Sequence, residues 1–339
     1  MLPCAPVPTT YYASTRDGWY VALHRLEPKR RAHGTPVVLC HGMASNRYNL
    51  DGPGRVSLAR FLHGRGYDAW LLELRGAGAS KRKLSLPRVA YRWCFEDYVQ
   101  HDVPAALRLV RRHTDAKRVL WVGHSLGGMV AYAALMTPAA ESIAGAVTLG
   151  SPGMTDVSHA TLDFWVSLHR ALRIAPRRIP TGRLARLGAP FAGPLTALVG
   201  EPIHDWGWHP DNFDLEILRF MMRHGLEDLP SSLLIEFARW YEAKAMSDRY
   251  GLFTFSDHFE RITAPMLLVA GSHDKLTPVA DIAKVHKRLG SEDKRLVVAG
   301  LESGFSYRYS HVDLVLGRHA PDEIYPLVAS WLDEHRPAA

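Results

Sequence analysis

Ser125 stands at the centre of Gly123-His124-Ser125-Leu126-Gly127, after the apolar run Val119-Leu120-Trp121-Val122 and before Gly128-Met129-Val130-Ala131-Tyr132-Ala133-Ala134-Leu135. A buried strand that feeds a G-x-S-x-G turn and opens a helix lifts the serine hydroxyl to the apex of a strained corner. Gly123 and Gly127 carry no Cβ to hold strand and helix apart. The chemistry open to such a serine is attack on a carbonyl. A serine hydroxyl is a poor nucleophile at neutral pH, so it needs a base, and the base needs a third group to fix its tautomer.

Around an elbow of this kind the partners follow in the chain order serine, acid, histidine. Gly271-Ser272-His273-Asp274-Lys275-Leu276-Thr277-Pro278 comes directly after the apolar run Met266-Leu267-Leu268-Val269-Ala270. Asp274 is therefore expected in a loop at the C-terminal end of a strand, the edge where ligand and catalytic groups collect in open α/β sheets. Asp156 is a rival acid at the same edge, and an N-cap role for Asp274 is its plain structural alternative. Beyond the last strand the histidines are His311, His319 and His335. His311, in the loop before the final helix, is the expected base. An oxyanion formed on the substrate needs donors, and the backbone N–H of Leu126 is the first. The second is expected after His41-Gly42, from Met43, with Ala44 as its neighbour and rival. His41 either orients that loop or is simply packed, and alternation along the strand points His124 into structural packing.

These residues must be positioned by a sheet. Thr10 to Ser14 and Trp19 to Leu26 flank Asp17-Gly18 as a hairpin. Further strands are expected at residues 36–40, 67–74, 119–122, 145–151, 266–271 and 295–300, with helices at 56–63, 95–113, 278–289 and 320–335. On the helix 95–113, Val99, Val103, Ala106, Leu107 and Val110 share one side. Strand and helix alternate from the third strand onward, which implies a parallel sheet covered on both faces. The rhythm breaks over residues 155–261, rich in Pro, Gly and aromatics such as Trp165, Phe191, Trp206, Trp208, Phe213, Trp240 and Tyr241. A stretch of that length is too long for a loop within a compact domain. It reads as a mostly helical cap between a core of 1–154 and 262–339, the alternative being extra core-packing helices.

Composition excludes several classes. At 47% hydrophobic and 22% charged, the 339-residue chain is neither disordered nor fibrous. Cys4, Cys40 and Cys94 have no paired spacing, so neither a disulfide framework nor a zinc site is expected, and a reducing, cytoplasmic setting is the simpler reading. Met1 to Pro8 has no basic start and no apolar run of signal-peptide length. No H-E-x-x-H occurs, and Gly76-Ala77-Gly78 is too short for a dinucleotide fingerprint, so neither metal nor cofactor is expected. The net charge of +7 gathers at 29–31, 81–83 and 170–186. It suits an anionic membrane or an acidic substrate, or is a solvated basic face, and no nucleic-acid motif accompanies it.

With these residues in place the chain resembles the α/β-hydrolases, and more narrowly their acid-lipase branch, which includes lysosomal acid and gastric lipases. Trp70-Leu71-Leu72-Glu73-Leu74-Arg75-Gly76 resembles that branch's strand leading to an Asn-Ser-Arg-Gly loop. Phe95-Glu96-Asp97-Tyr98-Val99-Gln100-His101-Asp102-Val103-Pro104-Ala105 resembles its acidic pair followed by Tyr-Asp-Leu-Pro-Ala. His311-Val312-Asp313-Leu314-Val315-Leu316-Gly317 with Ala320-Pro321-Asp322-Glu323-Ile324-Tyr325 resembles its catalytic-histidine end. The resemblance implies an α/β-hydrolase fold: a mostly parallel eight-stranded sheet, helices on both faces and an inserted cap. Leu126 stands where that branch usually has Gln, and the cap does not match it, so only ester hydrolysis is implied and no acyl specificity. Polyhydroxyalkanoate synthases share some of this character but use Cys at the elbow.

The expected activity is serine ester hydrolysis on a small-molecule or lipid ester with an apolar acyl or alkyl group. An acyltransferase using the same three residues is the first alternative, and a non-catalytic binding protein on this fold is the second.

Overall fold

The computed structural model describes residues 6–28, 32–82, 91–154, 176–193 and 207–337. Asp156, Trp165, Trp206 and the basic cluster at 29–31 lie outside these residues. The hairpin forms as β1 (Thr9–Ser14) and β2 (Trp19–Leu26), paired antiparallel, with Gly18 at φ +89° in the turn between them. Then come β3 (Pro36–Cys40), α1 (Leu58–Gly64), β4 (Asp68–Glu73), α2 (Val103–Thr114), β5 (Val119–His124), α3 (Leu126–Ala134) and β6 (Ile143–Leu149). The sheet runs β1-β2-β4-β3-β5-β6 and ends in two strands from the far side of the long interval, β7 (Met266–Gly271) and β8 (Lys294–Ala299). From β4 to β8 all neighbours are parallel. A ninth, two-residue strand, Lys81–Arg82, pairs antiparallel with β2 beyond the expected eight.

Every residue of β3 to β7 is buried, as strands covered on both faces require. Alternation divides them into two cores. Val38, Trp70, Trp121 and Leu268 face α2 and α3, while Val37, Leu71, Leu120 and Leu267 face α1 and the C-terminal helix. Trp121 is fully buried, and its indole N–H donates to the Gly127 carbonyl at 3.1 Å.

The helix expected over residues 95–113 is interrupted. Tyr98–Asp102 forms a π-helical turn in which the Val103 N–H reaches back five residues to Tyr98. Pro104 has no N–H to offer the carbonyl of Gln100, and a π-turn absorbs the missing α-helical bond. The turn also aims Asp102 at Arg75, as described below.

Between β6 and β7 the described residues add no strand to the main sheet. They form α4 (Thr181–Gly188), α5 (Leu215–Phe220) with a following π-helical turn (Met221–Gly225), and α6 (Ser231–Ala243). A separate pair of two-residue strands joins Arg178–Ile179 to Leu229–Pro230. α6 shares the core of the sheet: Leu233 and Trp240 are fully buried, and Trp240 meets Phe95 edge-on at 5.1 Å. α7 (Val279–Arg288) and α8 (Ala320–Glu334) complete the two helical layers. Among the described residues no helix is long and apolar enough to cross a membrane.

Candidate active site

The elbow has the conformation its sequence demands. Ser125 takes φ +53°, ψ −117°, a left-handed backbone that a non-glycine residue adopts only under constraint. Its N–H donates to the Leu149 carbonyl at the end of β6, and its own carbonyl accepts from Gly128 and Met129 in the first turn of α3. A Cβ on Gly123 would lie 2.3 Å from the Gly127 backbone, and one on Gly127 would lie 2.2 Å from the Cys40 carbonyl. Gly128 is equally constrained, since a Cβ there would come within 2.0 Å of Ser151 Oγ. Strand, turn and helix close on one another only because these positions are empty.

Asp274 and His311 meet, as their order along the chain anticipates. His311 Nδ1 lies 2.8 Å from Asp274 Oδ2, both side chains being buried. The other carboxylate oxygen, Oδ1, accepts the N–H groups of Leu276 at 3.0 Å and Thr277 at 2.8 Å. The Thr277 hydroxyl donates to Oδ2 and lies 3.3 Å from His311 Nδ1. Four donors thus converge on one carboxylate and fix its plane. This pair sits against the elbow through Gly150, whose neighbour Leu149 binds the Ser125 N–H. A Cβ on Gly150 would fall 3.2 Å from His311 Nδ1 and 3.3 Å from Asp274 Oδ2. His319 instead stacks on Tyr307 with ring centroids 3.3 Å apart, and His335 binds Asp293 and the Trp331 carbonyl. Neither rival histidine joins the acid.

The loop after β3 passes over the serine. A Cβ on Gly42 would lie 3.3 Å from Ser125 Cβ, and Met43 is the next residue of this loop. Among the described residues neither the Met43 N–H nor the Leu126 N–H has a protein acceptor. Ala44, the rival, takes φ +55°, and its carbonyl accepts from Glu227. His41 does orient the loop: Nδ1 lies 2.7 Å from the Gly42 carbonyl, while Nε2 accepts the Leu74 N–H at 3.1 Å. Burial holds its pKa below the ordinary imidazole range, in keeping with a neutral ring that donates from Nδ1 and accepts at Nε2.

His124 is buried and its pKa is depressed well below the usual value, first by burial and then by the neighbouring His311. Its Nδ1 lies 2.9 Å from Asn49 Oδ1 and its Nε2 3.1 Å from the His311 carbonyl. Asn49 Oδ1 also accepts the Gly42 N–H at 2.9 Å. Asn49 and His124 together tie the loop after β3 to the loop carrying His311. Sequence reasoning placed His124 in packing and did not single out Asn49 or Thr277. The one local signal was Thr277 three residues after Asp274, the spacing at which a hydroxyl folds back on an Asx turn.

A second buried network explains two of the sequence passages at once. Arg75 donates from Nε and Nη2 to Asp102 Oδ1 at 2.9 and 2.7 Å and from Nη1 to Asp17 at 2.6 Å, and its backbone N–H meets Asp102 Oδ2 at 2.9 Å. The arginine of the β4 loop and the aspartate of the π-turn are therefore partners, and they fix the loop that carries Leu74 to His41. Asp17, Asp97 and His101 bring one potential metal-ligand atom each within 4.8 Å of one another. The two carboxylates already hold Arg75 and Arg249, which leaves little negative charge there for a cation.

Residues 35–188 match the family model of the alpha/beta hydrolase fold. Human lipase member K is 32% identical over 136 residues, 38% of this chain and 34% of that protein. Triacylglycerol lipase 1 of Arabidopsis thaliana is 24% identical over 352 residues, covering 94% of this chain and 85% of that protein. The chain thus aligns with about a third of the length of the human relative and most of the plant one. Among solved structures, an esterase of Pyrococcus furiosus superposes with a TM-score of 0.55 at 16% identity, over 97% of this chain and 93% of that one. The strand order, the elbow and these matches agree: the chain has the α/β-hydrolase fold and resembles the acid-lipase branch of that superfamily.

Proposed function

We propose that the protein is a serine ester hydrolase, of carboxylesterase or lipase type, acting through an acyl-enzyme on an ester with an apolar acyl or alkyl group. The observation that carries this reading is the buried Asp274–His311 pair set beside the strained Ser125 elbow. In the first half-reaction Ser125 Oγ bonds to the ester carbonyl carbon while its proton passes to His311 Nε2. Asp274 keeps the His311 proton on Nδ1 and stabilises the imidazolium. The N–H groups of Leu126 and Met43 receive the negative charge that develops on the carbonyl oxygen. His311 then returns the proton to the departing alcohol as the C–O bond breaks. Water repeats the sequence on the acyl-serine and releases the carboxylic acid.

The apolar preference is inferred from the aromatic residues of the segment between β6 and β7, Trp208 and Phe213 among them. The segment 155–261 is proposed as the cap of this hydrolase core. The lipase and esterase names of the related proteins support the reaction class. We infer a cytoplasmic setting from the three cysteines without paired spacing.

The test is labelling with a fluorophosphonate, read as intact mass, alongside turnover of p-nitrophenyl esters of rising chain length. One adduct on the parent and none on Ser125→Ala, with ester turnover lost in that variant, is the expected result. Full turnover in Ser125→Ala refutes the mechanism. Ester formation from an added alcohol in preference to hydrolysis identifies an acyltransferase instead.

A further inference from the structure

The helices between β6 and β7 expose a face that the ester chemistry does not use. On α4 and the short 3-10 turn after it, Leu184, Leu187 and Phe191 recur at a spacing of three and four residues, one stripe of a helix. They are 61%, 75% and 62% exposed, and Leu215 on α5, beside Gly193, adds another exposed apolar side chain. Single exposed leucines are ordinary, but an aligned stripe is not. Arg183 and Arg186 flank it on the same helix. Beyond Pro190 an open groove is lined by Arg219, Phe220, Arg223 and His224, with Glu216 as its one acid. Among the described residues Arg219 and Arg223 form no ion pair.

We propose that this face docks the protein on an anionic phospholipid surface, the stripe entering the acyl boundary and the arginines meeting the headgroups. An apolar stripe edged by arginines is the pattern of an interfacial helix. Charge decides against a second copy of the chain, because a two-fold contact would set the same arginines against one another. The proposal is independent of the ester-hydrolase reading.

The docking face is joined directly to the loop over Ser125. Asn46 N–H and Ser45 Oγ donate to the Gly225 carbonyl at 3.2 and 3.0 Å, and Asn46 Nδ2 donates to the His224 carbonyl at 2.7 Å. The next segment carries α4. Thr181 Oγ1 donates to the Glu227 carbonyl at 2.6 Å, Arg183 N–H to Asp228 at 3.1 Å, and a Cβ on Gly182 would lie 2.5 Å from the Leu226 carbonyl. α4, the π-turn and the loop carrying Met43 thus form one hydrogen-bonded unit.

The experiment is co-sedimentation with vesicles of phosphatidylcholine alone and of phosphatidylcholine mixed with phosphatidylglycerol, using Ser125→Ala protein so that the lipid stays intact. Binding to the mixed vesicles, absence from the neutral ones and release by salt are expected. Leu187→Asp with Phe191→Asp, and separately Arg219→Glu with Arg223→Glu, should each lower partitioning by roughly tenfold or more. The same pairs placed in the parent should keep its near-UV circular dichroism and its rate on a soluble short-chain ester. Variants that are folded yet bind like the parent overturn the proposal, as does equal binding to neutral vesicles. So does loss of a dimer in sedimentation velocity without vesicle binding. Inactivity of the parent on every ester would sink the hydrolase reading and leave the vesicle result standing.

Discussion

Asp274→Asn offers the sharpest test of the site, because the hydrogen bonds around the carboxylate dictate what the amide must do. Oδ1 accepts from two backbone N–H groups, Leu276 and Thr277. The asparagine must keep its carbonyl oxygen there, since two donors cannot face an amide NH2. The NH2 then replaces Oδ2 and points at His311 Nδ1 and the Thr277 hydroxyl. His311 Nδ1 becomes an acceptor, its proton moves to Nε2, and the ring can no longer take a proton from Ser125. In serine–histidine–aspartate sites a change of this kind lowers kcat by a factor of order 10⁴, or about 5.5 kcal/mol in activation free energy. The variant is isosteric and retains both backbone contacts, so its melting temperature should stay close to the parent's. The assay is kcat and KM on a p-nitrophenyl ester, with the fluorophosphonate labelling rate beside it. A loss confined to kcat and to labelling is expected. A folded variant within tenfold of the parent would show that Asp274 does not orient the base.

Two further outcomes follow from the same geometry. Ser125→Gly relieves the +53° backbone, worth about 1–3 kcal/mol, against about 0.5–1 kcal/mol for the added freedom of glycine in the unfolded chain. The inactive glycine variant should therefore melt above both the parent and Ser125→Ala at one scan rate, and a lower midpoint refutes the strain. His41 and His124 are buried with pKa values below the imidazole range. Above about pH 6.5 both states hold them neutral, whereas below it the unfolded chain binds protons that the folded chain refuses. Stability should fall as pH drops from about 6.5, by up to about 1.4 kcal/mol per unit for each histidine. Urea midpoints at pH 7.5 and 5.5 check this, and an equal or higher midpoint at the lower pH contradicts it.

Local chemistry made much of the site legible before any fold was known. The elbow is a strand, a turn and a helix within sixteen residues, and its glycines announce a close approach whichever sheet surrounds them. Asp274 and His311 were nominated because each follows a strand in the required order. The same strand spacing implied a doubly covered parallel sheet, and Pro104 carried the cause of the π-turn even though helical periodicity ran across it.

What tertiary structure alone decided is what crosses long separations in the chain. The order β1-β2-β4-β3-β5-β6-β7-β8 depends on crossovers, not on any single strand's sequence. Arg75 and Asp102 are ordinary charges until the fold buries them together, and Asn49 is an ordinary loop residue until it meets Gly42 and His124. The bonds from Ser45 and Asn46 to Gly225 and His224 span nearly 180 residues, with no periodicity or motif to announce them. Residue type and local spacing determine what a side chain can do. Which partner it meets is decided by hydrogen bonds and burial that only the folded chain provides.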